Sequence, residues 1–189
     1  MTQLGNGLFE AKQLTAALTV KETELATMRR LGADEEHTLV VQGNLANVYL
    51  LLHRYDESLR MRQDTLLASV RTFGEEHERT LGEANNQALL LGLLHRHEEA
   101  VSVYSKIMPV SRRVLGKDHP LTLRIRGGYA GVLCSSKDAT LDDLREAVTT
   151  LEDTTGTARR VMGGANPITV GLEKQLRQTR EKLRAHEKQ

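Results

Sequence analysis

Seven histidines and a single cysteine, Cys134, are the residues best able to bind a metal or carry redox and acid–base chemistry. The densest group is His95-Arg96-His97-Glu98, which offers imidazoles and a carboxylate as zinc ligands. The spacing does not fit, because the chain has no cysteine pair and no His-Glu-x-x-His. His53 and His95 lie 42 residues apart, as do His77 and His119, and recurrence at a turn assigns them a structural role. Cys134 has no cue for thiolate activation and reads as an inert thiol. Gly163-Gly164-Ala165-Asn166 follows a helical pattern, whereas a dinucleotide-binding loop must follow a strand. Gly-x-Ser-x-Gly, a Walker-type loop and a distinctive carboxylate pair are all missing. We therefore expect no enzyme activity, no metal and no cofactor. What remains is the carboxamide chemistry of Asn44, Asn47, Asn85 and Asn86, since each amide carries two donor hydrogens and an acceptor oxygen.

The elements that position these residues repeat. Leu31-Gly32, Phe73-Gly74, Leu115-Gly116 and Met162-Gly163 are each followed by a threonine, at 38, 80, 122 and 169, so the spacings are 42, 42 and 47. Residues 32–73 and 74–115 share 13 identities, among them Asn44/Asn86, Ala46/Ala88 and Leu52-His53-Arg54/Leu94-His95-Arg96. The longer third interval places an insertion at Ser135–Thr140.

Each repeat holds two helical patterns, A and B. Pro120 and Pro167 fall at the first position of an A helix, where a missing N–H costs nothing, and Asn166 is a stronger cap than His77 or His119. Leu39, Leu45, Tyr49 and Leu52 form the apolar stripe of the first A helix. A helix-ending residue of positive φ is expected near His53, His95 and Ser136. The B helices span Tyr55–Thr72, His97–Val114 and Leu141–Val161, closing on arginines that suit the negative helix end and on stop glycines 74, 116 and 163. An unpaired B-type helix opens the chain at about Leu8–Leu31, and an unpaired A-type helix closes it at about Pro167–His186. Pro109 is expected to kink its B helix. Gly127, Gly128 and Gly131 predict a close helix contact in the third repeat, which with its insertion is expected to be the softest part.

Composition agrees with an all-α chain: 189 residues with no tryptophan, two phenylalanines and four tyrosines leave little for a β-sandwich. The formal net charge of +1 makes no electrostatic case for nucleic acid or an anionic membrane. The apolar run 88–94 is far below the ~20 residues that span a bilayer. One cysteine excludes an internal disulfide and fits a reducing, cytoplasmic setting.

Gly116-Lys117-Asp118-His119-Pro120-Leu121-Thr122-Leu123, Asn44-Leu45-Ala46-Asn47-Val48-Tyr49 and Arg54-Tyr55-Asp56-Glu57-Ser58 resemble the 42-residue tetratricopeptide repeats of kinesin light chains. Glu35-Glu36 and His77-Glu78 depart from the usual His-Pro. The resemblance implies a right-handed α-solenoid of antiparallel helix pairs with about eight helices, forming one array over 1–189. Its parts are a half-repeat at 8–31, repeats at 34–73, 76–115 and 118–162, and a capping helix at 167–186.

The resemblance further implies that A helices line a concave groove. With Ala46 and Tyr49 facing the paired B helix, the groove positions are Val40, Gly43 and Asn47 with Asn44 in the first repeat, and Gly82, Asn85 and Leu89 with Asn86 in the second. Arg124, Gly127 and Gly131 follow in the third, then Gly171, Lys174 and Gln178. The peptide-binding set is accordingly Asn44, Asn47, Asn85, Asn86, Arg124, Lys174 and Gln178. The amides would pair with an extended peptide backbone, and Arg124 and Lys174 would favour an acidic side chain or free C-terminus. The expected function is a non-catalytic adaptor or scaffold, monomeric or weakly self-associating. The alternatives are self-assembly through the terminal half-repeats, or a regulatory segment of a larger signalling protein.

Overall fold

A computed structural model describes residues 2–188, with side chains from residue 13 onward. The described residues form eight α-helices and no strand: α1 (Thr2–Leu31), α2 (Glu35–Leu51), α3 (Tyr55–Phe73), α4 (Glu78–Leu93), α5 (His97–Val114), α6 (Pro120–Ser135), α7 (Leu141–Met162) and α8 (Pro167–His186). α1 begins six residues ahead of the expected Leu8, as an established helix gains one hydrogen bond for each residue added. Its residues before Gln13 have no described side chains. α5 runs unbroken through Pro109.

Helix boundaries follow local chemistry. Side chains of Asp34, His77, His119 and Asn166 accept from backbone N–H groups of His37, Arg79, Leu121 and Ile168, so the repeated histidines cap helices. His53 and His95 both adopt φ 57°. Around His53, the Arg54 N–H bonds the Tyr49 carbonyl and the His53 N–H bonds that of Leu50. Arg96 and His95 repeat the pattern with Leu91 and Gly92. Ser136 departs from this, with φ −59°. There the inserted connection ends in a capping box: Asp143 N–H donates to Thr140 Oγ1 while Thr140 N–H donates to Asp143 Oδ2. That Thr-x-x-Asp signal stands in the sequence. Gly74 (φ 87°) and Gly163 (φ 82°) supply the expected stops after α3 and α7.

The periodic threonines have a structural reason. Thr80 Oγ1 donates to the Ser69 carbonyl and Thr122 Oγ1 to that of Ser111, pinning α4 and α6 to the preceding B helix, whereas Thr38 Oγ1 donates to the Asp34 carbonyl beside its own helix.

The helices group into two compact units, Met1–Glu83 and Ala84–Gln189, divided within α4. In the N-terminal unit α2 packs on α1 and α3 around Leu18, Leu25, Val41, Leu45 and Tyr49. Tyr49 Oη donates to Glu22 Oε1 at 2.7 Å, and the Arg54 guanidinium covers the Tyr49 ring. In the C-terminal unit α5, α6, α7 and α8 pack in sequence, and α8 also touches α6. Its core is Leu123, Ala130, Ala147, Leu151, Ala158 and Leu172.

The glycines of α6 do mark close contacts. A Cβ on Gly128 would overlap the Tyr104 hydroxyl, and one on Gly127 would lie 2.5 Å from Leu172 Cδ2. The region expected to be softest is therefore densely packed, because the missing side chains make room for those of neighbouring helices. Lys182 of α8 donates to the Cys134 and Ser136 carbonyls, satisfying the C-terminal end of α6.

Candidate functional site

The A helices bury one face and expose another. In α2, Leu39, Gln42, Leu45, Ala46 and Tyr49 are buried, while Val40, Asn44, Asn47 and Leu51 form an exposed stripe at helical spacing. Leu89 and Leu93 of α4 are exposed, as are Arg124 of α6 and Gly171, Lys174 and Gln178 of α8. Five of the seven expected site residues are thus exposed: Asn44, Asn47, Arg124, Lys174 and Gln178. Asn86 is half-buried. Asn85 is at 0% exposure, with neither carboxamide atom hydrogen-bonded to protein. Its amide is withdrawn from the surface on which the repeat register placed it.

Asn47 has work inside the protein as well. Its Oδ1 accepts from Arg62 Nη2 at 2.6 Å. A guanidinium only donates, so the amide oxygen must face it, and Asn47 Nδ2 is the group left for a ligand. Arg62, on α3, is 4% exposed, and its Nε and Nη1 have no hydrogen-bond partner. Burial disfavours its charge and pulls its pKa below the usual arginine value, and the Glu83 carboxylate opposes that shift.

Glu83 also explains Gly43. A Cβ there would come 3.4 Å from Glu83 Oε1, so Gly43 makes room for a carboxylate of the same unit. Gly127 and Gly131 likewise face α8: Gln175 Nε2 donates to the Gly127 carbonyl at 2.9 Å and would lie 2.6 Å from a Cβ on Gly131. Gly82 and Gly171 remain open, with nothing within 4 Å of an added Cβ.

Arg62, Glu83 and Gln175 escape a reading based on the A-helix register. Arg62 has a sequence signal, since repeat alignment places it with Tyr104 and Leu151, a charge in an apolar register. Tyr104 is fully buried, and burial pushes its hydroxyl well above the usual tyrosine pKa, opposed by Arg124. Beside it at 6.3 Å stands the Tyr129 ring, whose pKa is pushed up to about 12 by burial and by its bond to Glu146.

Among the described residues no group of three or more His, Cys, Asp or Glu is placed to hold a metal ion, and no helix is long and apolar enough to cross a membrane.

Family models described as tetratricopeptide repeat match residues 38–79 and 80–160. No curated protein matches the sequence significantly. Among solved structures, a Podosopora anserina protein assigned as a kinesin light chain with nearly identical TPR-like repeats is similar at 18% identity. It aligns over 97% of this chain and 91% of that one with a TM-score of 0.69, and a second structure of that protein gives 0.67. BtubC (BKLC) from P. vanneervenii is 15% identical over 93% of this chain and 75% of that one, with a TM-score of 0.62.

Proposed function

This chain belongs to the tetratricopeptide repeat family, and from that we propose that it is a non-catalytic interaction module holding a peptide or partner segment against its A helices. Tetratricopeptide repeats mediate protein–protein interaction, and stacked repeats present side chains of one register as an extended surface. The observation that carries the reading is the exposed stripe of α2, where Val40 and Leu51 flank Asn44 and Asn47. It combines apolar area with amides, as an extended peptide requires. Leu89 of α4, which shares the repeat register of Asn47, is 41% exposed. Arg124 and Lys174 supply positive charge for an acidic side chain or a terminal carboxylate. The setting we propose is cytoplasmic.

The test is selection of peptides from a displayed library on the full chain, followed by fluorescence anisotropy. Arg124→Glu with Lys174→Glu should weaken the selected peptide about tenfold, or ~1.4 kcal/mol, and leave the melting temperature unchanged. Enriched peptides that bind this variant and a Val40→Asp variant as well as the parent would place binding elsewhere.

Self-assembly through the terminal half-repeats also has a specific observation behind it. Val170 is 51% exposed, whereas its counterpart Leu123 is at 0%. The same outer face of α8 carries Arg177 at the position of the buried Ala46, Ala88 and Ala130. A guanidinium there hinders the close approach that stacking requires, so the binding module is the stronger reading. Light scattering that shows growth beyond a dimer with concentration would reverse that order.

A further inference from the structure

A cleft of about 210 Å³ opens in the C-terminal unit where the end of α5, the start of α6 and the last turns of α7 meet. Four cations line it: Arg112, Lys117, Arg126 and Arg160. Two are neutralised, Arg126 by Asp153 at 2.7 Å and Arg160 by Asp118 at 3.3 Å. Arg112 and Lys117 have no acidic partner among the described residues, which leaves two uncompensated positive charges around one small space. The first turn of α6, with the positive end of its dipole, forms part of the wall. Thr157 adds a hydroxyl.

The N-terminal unit contains the same cleft with different charge. A cleft of about 320 Å³ there is lined by Arg29, Glu35, Asp64 and Arg71, two cations against two carboxylates. The clefts are equivalent in the repeat. Thr38 corresponds to Thr122 and Gln42 to Arg126, each two 42-residue periods on. Asp64 and Arg71 correspond to Asp153 and Arg160, one 42-residue and one 47-residue period on. The unit with Gln42 is balanced, whereas the one with Arg126 and Lys117 carries the excess. Repeat architecture alone therefore does not account for the charge.

The geometry points to an anion site in the C-terminal unit that takes the phosphoryl dianion of a phosphorylated side chain on a protein partner. A phosphoserine or phosphothreonine carries −1.5 to −2 at neutral pH, matching the two unpaired cations, and its oxygens suit guanidinium and ammonium donors. The volume admits one such group. A cleft of this volume takes one recessed anionic group, whereas a continuous anionic surface cannot enter it. The site shares no residue with the proposed peptide surface, and its failure would leave the peptide-binding proposal untouched.

The experiment is an amide-resolved NMR titration of the full chain with inorganic phosphate and with O-phosphoserine at constant ionic strength. Saturable shifts are expected at Lys117, Arg126 and Thr157, with none at Thr38 and Gln42 of the balanced cleft. Arg112→Gln with Lys117→Gln should weaken the affinity about tenfold without changing the helical circular dichroism. Phosphoserine should bind more tightly at pH 7.5 than at pH 5.5, since the dianion forms above about pH 6. Shifts that grow linearly, appear at both clefts, or persist in the double variant overturn the proposal. So does binding to phosphatidylserine vesicles that phosphoserine does not displace, which would assign the charge to a lipid surface.

Discussion

The B helices of the two units solve the same packing problem with opposite chemistry. In the C-terminal unit the register of Tyr104 and Leu151 is filled by a fully buried ring and a fully buried aliphatic chain, and Gly128 leaves room for the ring. In the N-terminal unit the same register holds Arg62, and around it Gln42, Ser58, Thr65 and Ser69 are buried too. Thr65 bonds the Met61 carbonyl of its own helix, and Ser58 reaches across to the Ala46 carbonyl at 2.8 Å, so polar groups are consumed internally. A repeat needs only that each register be filled and satisfied. Leucine does this by packing, and arginine by finding an amide, with the remaining donors left unmet.

The largest effect that would sharpen this contrast is Leu151→Ala. It empties a fully buried site and should cost about 2–5 kcal/mol in urea denaturation. Arg62→Met at the equivalent position should be neutral or stabilising by ~1–3 kcal/mol, since it removes a buried, incompletely paired charge while keeping volume. A loss as large as that of Leu151→Ala would erase the distinction between the units. Next, Gly128→Ala should cost about 1–3 kcal/mol, because its Cβ must displace the Tyr104 hydroxyl.

Asn47→Ala should destabilise by ~1–3 kcal/mol, since it strips the partner from a buried guanidinium. The loss should largely vanish in the Arg62→Met background, a double-mutant cycle that separates the structural bond from any role in binding. The smallest effect is one of pH. Thr140 hydrogen bonds hold the Asp143 carboxyl below the usual carboxylate range. A depressed carboxylate contributes stability that is present above its unfolded pKa and lost as pH falls through its folded one. Urea midpoints should therefore fall below about pH 4, and Thr140→Val should flatten that part of the profile.

The exposed stripe of α2 was legible because period and partner fix which face a helix buries: once Ala46 and Tyr49 face inward, Val40, Asn44 and Asn47 face out. Asn85 defeats the same rule. Its register matches Gly43, yet exposure depends on what packs over a position, and no spacing within one helix contains that information. The same register places Gly43 and Gly131 in the groove. Glu83 and Gln175 of the protein itself use the room they leave.

By itself the sequence determined where helices begin and end and how often the pattern returns. Those outcomes rest on short-range sterics and on hydrogen bonds within a few residues: His53, His95, Gly74 and Gly163 adopt positive φ to close a helix, and Asp34, His119 and Asn166 cap the next. Tertiary structure alone decided which polar groups stay available. Arg62 meets Asn47 across 15 residues and Gln175 meets the Gly127 carbonyl across 48. Such bonds depend on how closely two helix surfaces approach, a distance set by every side chain between them at once.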